Sequence, residues 1–289
     1  MIKISKDEEI IKRNLNPHPD IIIPSQSLID TLKQLEQLPI AQKEYEVHPM
    51  KLEESLYDAK TFLNYYYKLQ DVPYLIIKKI LGKEIHIVKP INPLKLPINL
   101  VENDDIFSGS VTEIITTTKF HIIFREINLS NHITEQSSSS YIHEITHTQI
   151  DRIKGALSDY YNLEILSIFN ELFHASILDQ QETILRLNDS RRIYEMSISA
   201  QELIEYHKGK SKNTRDELLD CCKYLISGLK AYNLFITFYY GSDKLKNDIL
   251  DDIQSIFDGY LSLEELLEKY DITLENSQEP KKLIKYFNR

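Results

Sequence analysis

Apolar residues recur every three to four positions in "SLIDTLKQLEQL" (27–38), in "MKLEESLYDAKTFLNYYYKL" (50–69) and in "VPYLIIKKIL" (72–81). That spacing predicts three helices. The next stretch, "IHIVKPINPLKLPINL" (85–100), carries three prolines and predicts extended chain with a boundary rather than a helix. "VTEIITTTKFHIIFREI" (111–127) is β-branched and aromatic and predicts one or two strands. "NLSNHITEQSSSS" (128–140) predicts a polar loop whose serines cap the helix that follows. Helical spacing then runs to the C-terminus, with breaks near Gly155, at "HKGKSKN" (207–213) and around Gly241. The pattern predicts a mainly α fold with a small β-sheet. It divides into an N-terminal helical region over 1–90 and one compact catalytic region over 91–289.

Composition narrows the setting. The net charge of −10 argues against nucleic acid as a partner, because phosphate binding needs a basic face. The most apolar runs are too short to span a bilayer, and "MIKISKDEEIIKRN" has no apolar signal core. The two cysteines, Cys221 and Cys222, are adjacent and make no disulfide framework, so the expected setting is cytoplasmic. They lie mid-helix without a neighbouring histidine, which disfavours a thiol nucleophile. No glycine-rich phosphate loop is present.

The chemistry concentrates in "SSSSYIHEITHTQIDRI" (137–153). His143 and His147 stand at i and i+4, so on a helix both imidazoles leave one face and can share a metal. Glu144, beside the first histidine, can reach a metal-bound water without being a ligand. This is the H-E-x-x-H arrangement of a zinc hydrolase. A catalytic zinc wants a third protein ligand, and "DYYNLEILSIFNELFHA" (159–175) offers Glu164, Glu171 and His174. If the first helix runs to about Lys154, turns at "GALS" and returns from Asp159, Glu164 comes level with His147. Glu171 then falls roughly 10 Å further on. Glu164 is the expected ligand, Glu171 a supporting or buried polar partner, and His174 a packed or surface histidine.

"HEITH" followed by "LEILSIFNE" resembles the oligoendopeptidase F and thimet oligopeptidase family of zinc metallopeptidases. In that family the metal-binding glutamate lies in an E-x-x-S-x-F-N-E type stretch after H-E-x-G-H. The resemblance sets Glu164 on the ligand and Glu171 on the second glutamate. "IFDGYLSLEELLEKYDITLENSQEPKKLIKYF" is similar to the family's closing segment, with a glycine turn, a short helix and a proline-led last helix. The likeness runs from about Lys119 to the end. There are departures. Thr146 replaces the motif glycine and Ile150 a further histidine. The chain is about half a typical member's length, so a reduced N-terminal helical part is expected. In "LDCCKYLISG" Cys222 falls where a tyrosine is expected, leaving Tyr224 close by and Tyr232 two turns on.

The resemblance implies a gluzincin-type zinc metalloendopeptidase acting on short peptides, while the chain's small size leaves room for a dedicated small protein substrate. His143, His147 and Glu164 bind Zn2+, and Glu144 acts as general base on a zinc-activated water. Tyr224 is the expected carbonyl-polarising donor. "KFHIIFREI" (119–127) is the expected edge strand for an extended peptide. The alternative is a peptidase-fold binding protein that has lost efficient turnover.

Overall fold

The computed structural model describes residues 20–42, 48–80, 83–103, 109–116, 121–154, 162, 164–178, 183–273 and 280–288. In chain order its elements are α1 (Gln26–Glu36), α2 (Pro39–Gln42), α3 (Leu52–Tyr66), β1 (Val72–Ile80), β2 (Lys83–Ile91), a 3-10 turn (Pro93–Lys95), β3 (Ile98–Val101), β4 (Gly109–Thr116) and β5 (His121–Ser130). Then follow α4 (Ser137–Lys154), α5 (Ile165–Leu178), α6 (Thr183–His207), α7 (Arg215–Tyr239), α8 (Asp243–Asp258), α9 (Leu263–Lys269) and α10 (Pro280–Phe287). The protein is mainly helical with one small mixed sheet. Among the described residues no helix is long and apolar enough to cross a membrane.

The chain forms two compact units. The first gathers the described residues within Val47–Ser158 and Gln254–Tyr260. In it α3 buries Ser55, Ala59, Phe62 and Leu63, one helical face, and packs on α4. α4 also packs on the sheet, burying Tyr141, Ile142 and Ile145 completely. The sheet runs β2-β1-β5-β3, with β4 antiparallel to β5. The Gln149 side chain fastens the chain just before β1 to α4 by accepting from Gln70 N at 2.8 Å and donating to Gln70 O at 3.2 Å.

Three expectations change here. "VPYLIIKKI" is strand β1, not helix, paired with β2 in antiparallel register from Val72↔Ile91 to Ile80↔Lys83. Its four β-branched residues and the proline at its second position suit a pleated strand better than a helix interior. "NLS" (128–130) belongs to β5, and Ser137–Ser140 form the first turn of α4, all four buried. Ser137 Oγ accepts from Thr134 N at 3.1 Å, and Ser138 Oγ donates to Glu135 O at 2.9 Å, so these hydroxyls tie the helix start to the chain before it. Finally, "KFHIIFREI" does not supply an edge. Residues 119 and 120 lie outside the described residues, and β5 is central, with β4 antiparallel on it and β1 and β3 parallel to it. Among the described strands β4 and β3 each pair with β5 alone, so each keeps one free edge.

The second unit gathers the described residues within His18–Glu46, Asp159–Ile253 and Leu261–Arg289. Its core is the packing of α5, α6 and α7, joined by α1 on α6 and α10 on α7. α7 starts at a capping box, Thr214 and Glu217 exchanging bonds with each other's backbone. The expected breaks at 207–213 and around Gly241 fall between α6 and α7 and between α7 and α8. The proposed turn over Gly155–Ser158 and Asp159 lies outside the described residues.

Candidate metal centre

The metal-binding pair is built by one helix. α4 runs to Lys154 as its spacing predicts, and it places His143 and His147 one turn apart. Their Nε2 atoms stand 3.2 Å from each other, with the rings tilted at 66°. Glu144 on the same helix is buried, at 7% exposure. Its carboxylate lies against the first residue of β4. A Cβ built on Gly109 would come within 2.9 Å of Glu144 Oε1 and 3.2 Å of its Cγ. Gly109 therefore leaves the space in which that carboxylate sits. Glycine is scarce in this chain, with seven in all, and "SGSV" just before a β-branched run was the signal that could have marked it.

The two departures from the H-E-x-G-H pattern are structural. Thr146 is buried and its Oγ1 donates to Ile142 O at 2.8 Å within the helix, and Ile150 is a core residue.

Glu164 is held differently. The sequence geometry predicts it inside a returning helix, but α5 begins at Ile165 and Glu164 precedes it. Its carbonyl accepts from Ile168 N at 2.9 Å, the first bond of that helix, so its carboxylate stands at the positive end of the helix dipole. Two lysines of α7, seven residues apart on one face, grip this short segment. Lys223 Nζ lies 3.4 Å from Glu164 Oε1, and Lys230 Nζ donates to Asn162 Oδ1 at 2.8 Å. Burial acts to lower the Lys223 ammonium, but Glu164 and the charges around it outweigh that and hold it above the ordinary lysine range.

One ligand atom each from His143, His147 and Glu164 lies within 4.8 Å of the others, and this group could hold a metal ion.

The other expected residues lie in the second unit. Glu171 is buried and paired with Arg192 and, at 3.4 Å, with Arg191. Both arginines also reach Glu195 at 2.7 Å. Burial would raise Glu195, yet the two guanidinium groups hold it below the usual carboxylate range. His174 is buried, and burial pushes it down to about 3, so it is neutral at ordinary pH. Tyr224 is 40% exposed, with the Lys223 ammonium 4.4 Å from its ring centre. Tyr232 is fully buried and donates to Asp189 at 2.9 Å, an acceptor it shares with Tyr286. Cys222 is buried, its thiol pushed up to about 11 by that burial, and its sulfur accepts from Ile22 N at 3.3 Å. It is a packing group.

No protein-family model matches the chain. No curated protein matches it either. A solved structure with a related chain path is described as "putative peptidase from Chlamydophila abortus", with TM-score 0.46 and 12% identity. The similarity takes in 97% of this chain and 53% of that one, so this chain spans about half its length. What the chain can do is carried by its own side chains.

Proposed function

We propose that the chain is a zinc-dependent metallopeptidase of the gluzincin type, with His143, His147 and Glu164 as metal ligands and Glu144 as general base. The spacing of the two Nε2 atoms carries this reading. Two nitrogens bound tetrahedrally at 2.0–2.1 Å stand about 3.3 Å apart, and His143 and His147 hold theirs at 3.2 Å. Two histidines and one carboxylate are the donor set of a catalytic rather than a structural zinc, because a position stays open. Zinc bound there supplies a Lewis acid that polarises the peptide carbonyl and lowers the pKa of water. Glu144, buried next to the first histidine, takes a proton from the attacking water and returns it to the leaving amine. The substrate is a peptide or a small protein. An extended segment pairs with the outer edge of β4, and Gly109 at the start of that strand leads it past Glu144.

The test is zinc content measured together with cleavage of a peptide mixture. Glu144→Gln should keep the metal and lose roughly 10²–10⁴-fold in turnover, the usual contribution of a general base. Undiminished turnover in that variant overturns the mechanism.

One observation favours a second reading, a peptide-binding protein without efficient turnover. Tyr232 is tied up with Asp189 in the interior, so it offers no donor to a substrate carbonyl. Peptide bound equally by the wild type and the Glu144→Gln chain, and cleaved by neither, would establish that reading.

A further inference from the structure

The Glu164 carboxylate is almost out of solvent, at 9% side-chain exposure, and the cation beside it, Lys223, is at 14%. Lys223 also reaches Asp220 at 3.6 Å, but that carboxylate is 53% exposed and solvated. The buried partner is therefore the one that dominates.

We propose that Lys223 is a built-in counter-cation that competes with the metal for Glu164 and thereby sets how tightly the site holds its metal. This rests on the metal-ligand reading of Glu164. Without metal, the lysine is the cation that faces a carboxylate almost out of solvent. An arriving dication finds a donor oxygen whose charge is already shared, with a positive group 3.4 Å from that oxygen.

Two effects oppose each other when the lysine is removed. Losing a group that orients a ligand weakens metal binding by about 10–100-fold. Losing a nearby like charge strengthens it. One pair of unit charges about 4 Å apart near a protein surface is worth nearly a thousandfold in an equilibrium constant. The metal carries twice that charge, so the repulsion wins. Lys230, which grips the same segment through Asn162, is the control that removes orientation and leaves the Glu164 ion pair in place.

The experiment is zinc titration of the whole chain against a competing chelator, with zinc release into excess chelator followed separately. Lys223→Met keeps most of the side chain's bulk and drops its charge. It should tighten zinc binding by at least about tenfold and slow release, while its metal-free form melts below the metal-free wild type. Lys223→Arg should restore wild-type affinity, and Lys230→Met should give no tightening. Equal or weaker zinc binding by Lys223→Met overturns the proposal, as does equal tightening by Lys230→Met. A wild-type chain that takes up no zinc would overturn the metal reading as well. Zinc bound by the wild type and unchanged in Lys223→Met would overturn the counter-cation alone.

Discussion

Helices α4 and α5 both carry a polar stripe through an apolar environment, and they satisfy it in opposite ways. On α4 much of the stripe is answered close by. His143 and His147 meet each other, Thr146 and Thr148 return their hydroxyls to the helix's own carbonyls, and Glu144 fits a space left by a glycine. On α5 and the residue just before it, Glu164, Ser167, Glu171 and His174 fall on one line, three and four residues apart. Its two carboxylates are matched from other helices: Glu164 by Lys223, Glu171 by Arg192 and Arg191. A helix whose polar groups answer one another can be read from its own residues. A helix whose charges are answered from 20 or more positions away cannot.

If α5 holds a ligand at one end and a structural charge at the other, Glu164→Ala and Glu171→Ala should fail differently. Glu164→Ala should lose bound metal and stay folded. Glu171→Ala should keep the metal in whatever fraction folds, while losing about 1.5–3 kcal/mol of stability, because it removes one of the two carboxylates that hold the buried Arg192. Metal analysis with urea unfolding separates the two. Equal metal loss in both would end the contrast.

A smaller effect tests the α4 side of the contrast. Gly109→Ala should push the Glu144 side chain and cut kcat by about 10–100-fold, with zinc content unchanged. Full activity would mean that β4 moves aside.

The last test is a slope with pH. His174 is neutral in the fold, with its pKa pushed down to about 3 from 6.5. The unfolded chain therefore binds a proton first as pH falls. The stability held by the neutral ring is complete above pH 6.5 and is lost as pH drops towards 3. The loss approaches about 1.4 kcal/mol per pH unit at most. His174→Gln should flatten the melting-temperature profile in this window, and an unchanged profile would assign the slope to other groups.

The same contrast explains what the sequence showed. The histidine pair needs only helical periodicity, and α1, α3 and the β4–β5 strands follow from spacing and β-branching. "VPYLIIKKI" carries Val72, Leu75, Ile76 and Ile80 at helical spacing as well as a strand composition, and its pairing with β2 decides the matter. That β5 is central depends on where β1, β3 and β4 pair, which is topology and not local pattern. Lys223 stood in plain sight between Cys222 and Tyr224, but a lone lysine on a helix reads as solvated until its partner 59 residues away is known.

The second unit takes α1 from one end of the chain and α6, α7 and α10 from the other. Leu28, Leu32 and Leu35, which α1 buries in the finished fold, leave the ribosome well before those partners exist. At about 5–20 residues per second, the stretch from 47 to 158 takes roughly 6–22 seconds to synthesise. During that interval the first unit has its own strands and α4 to assemble, while an apolar helix waits uncovered beside it. The order of synthesis thus leaves α1 without α6 and α10, the helices it packs on, until both have been made.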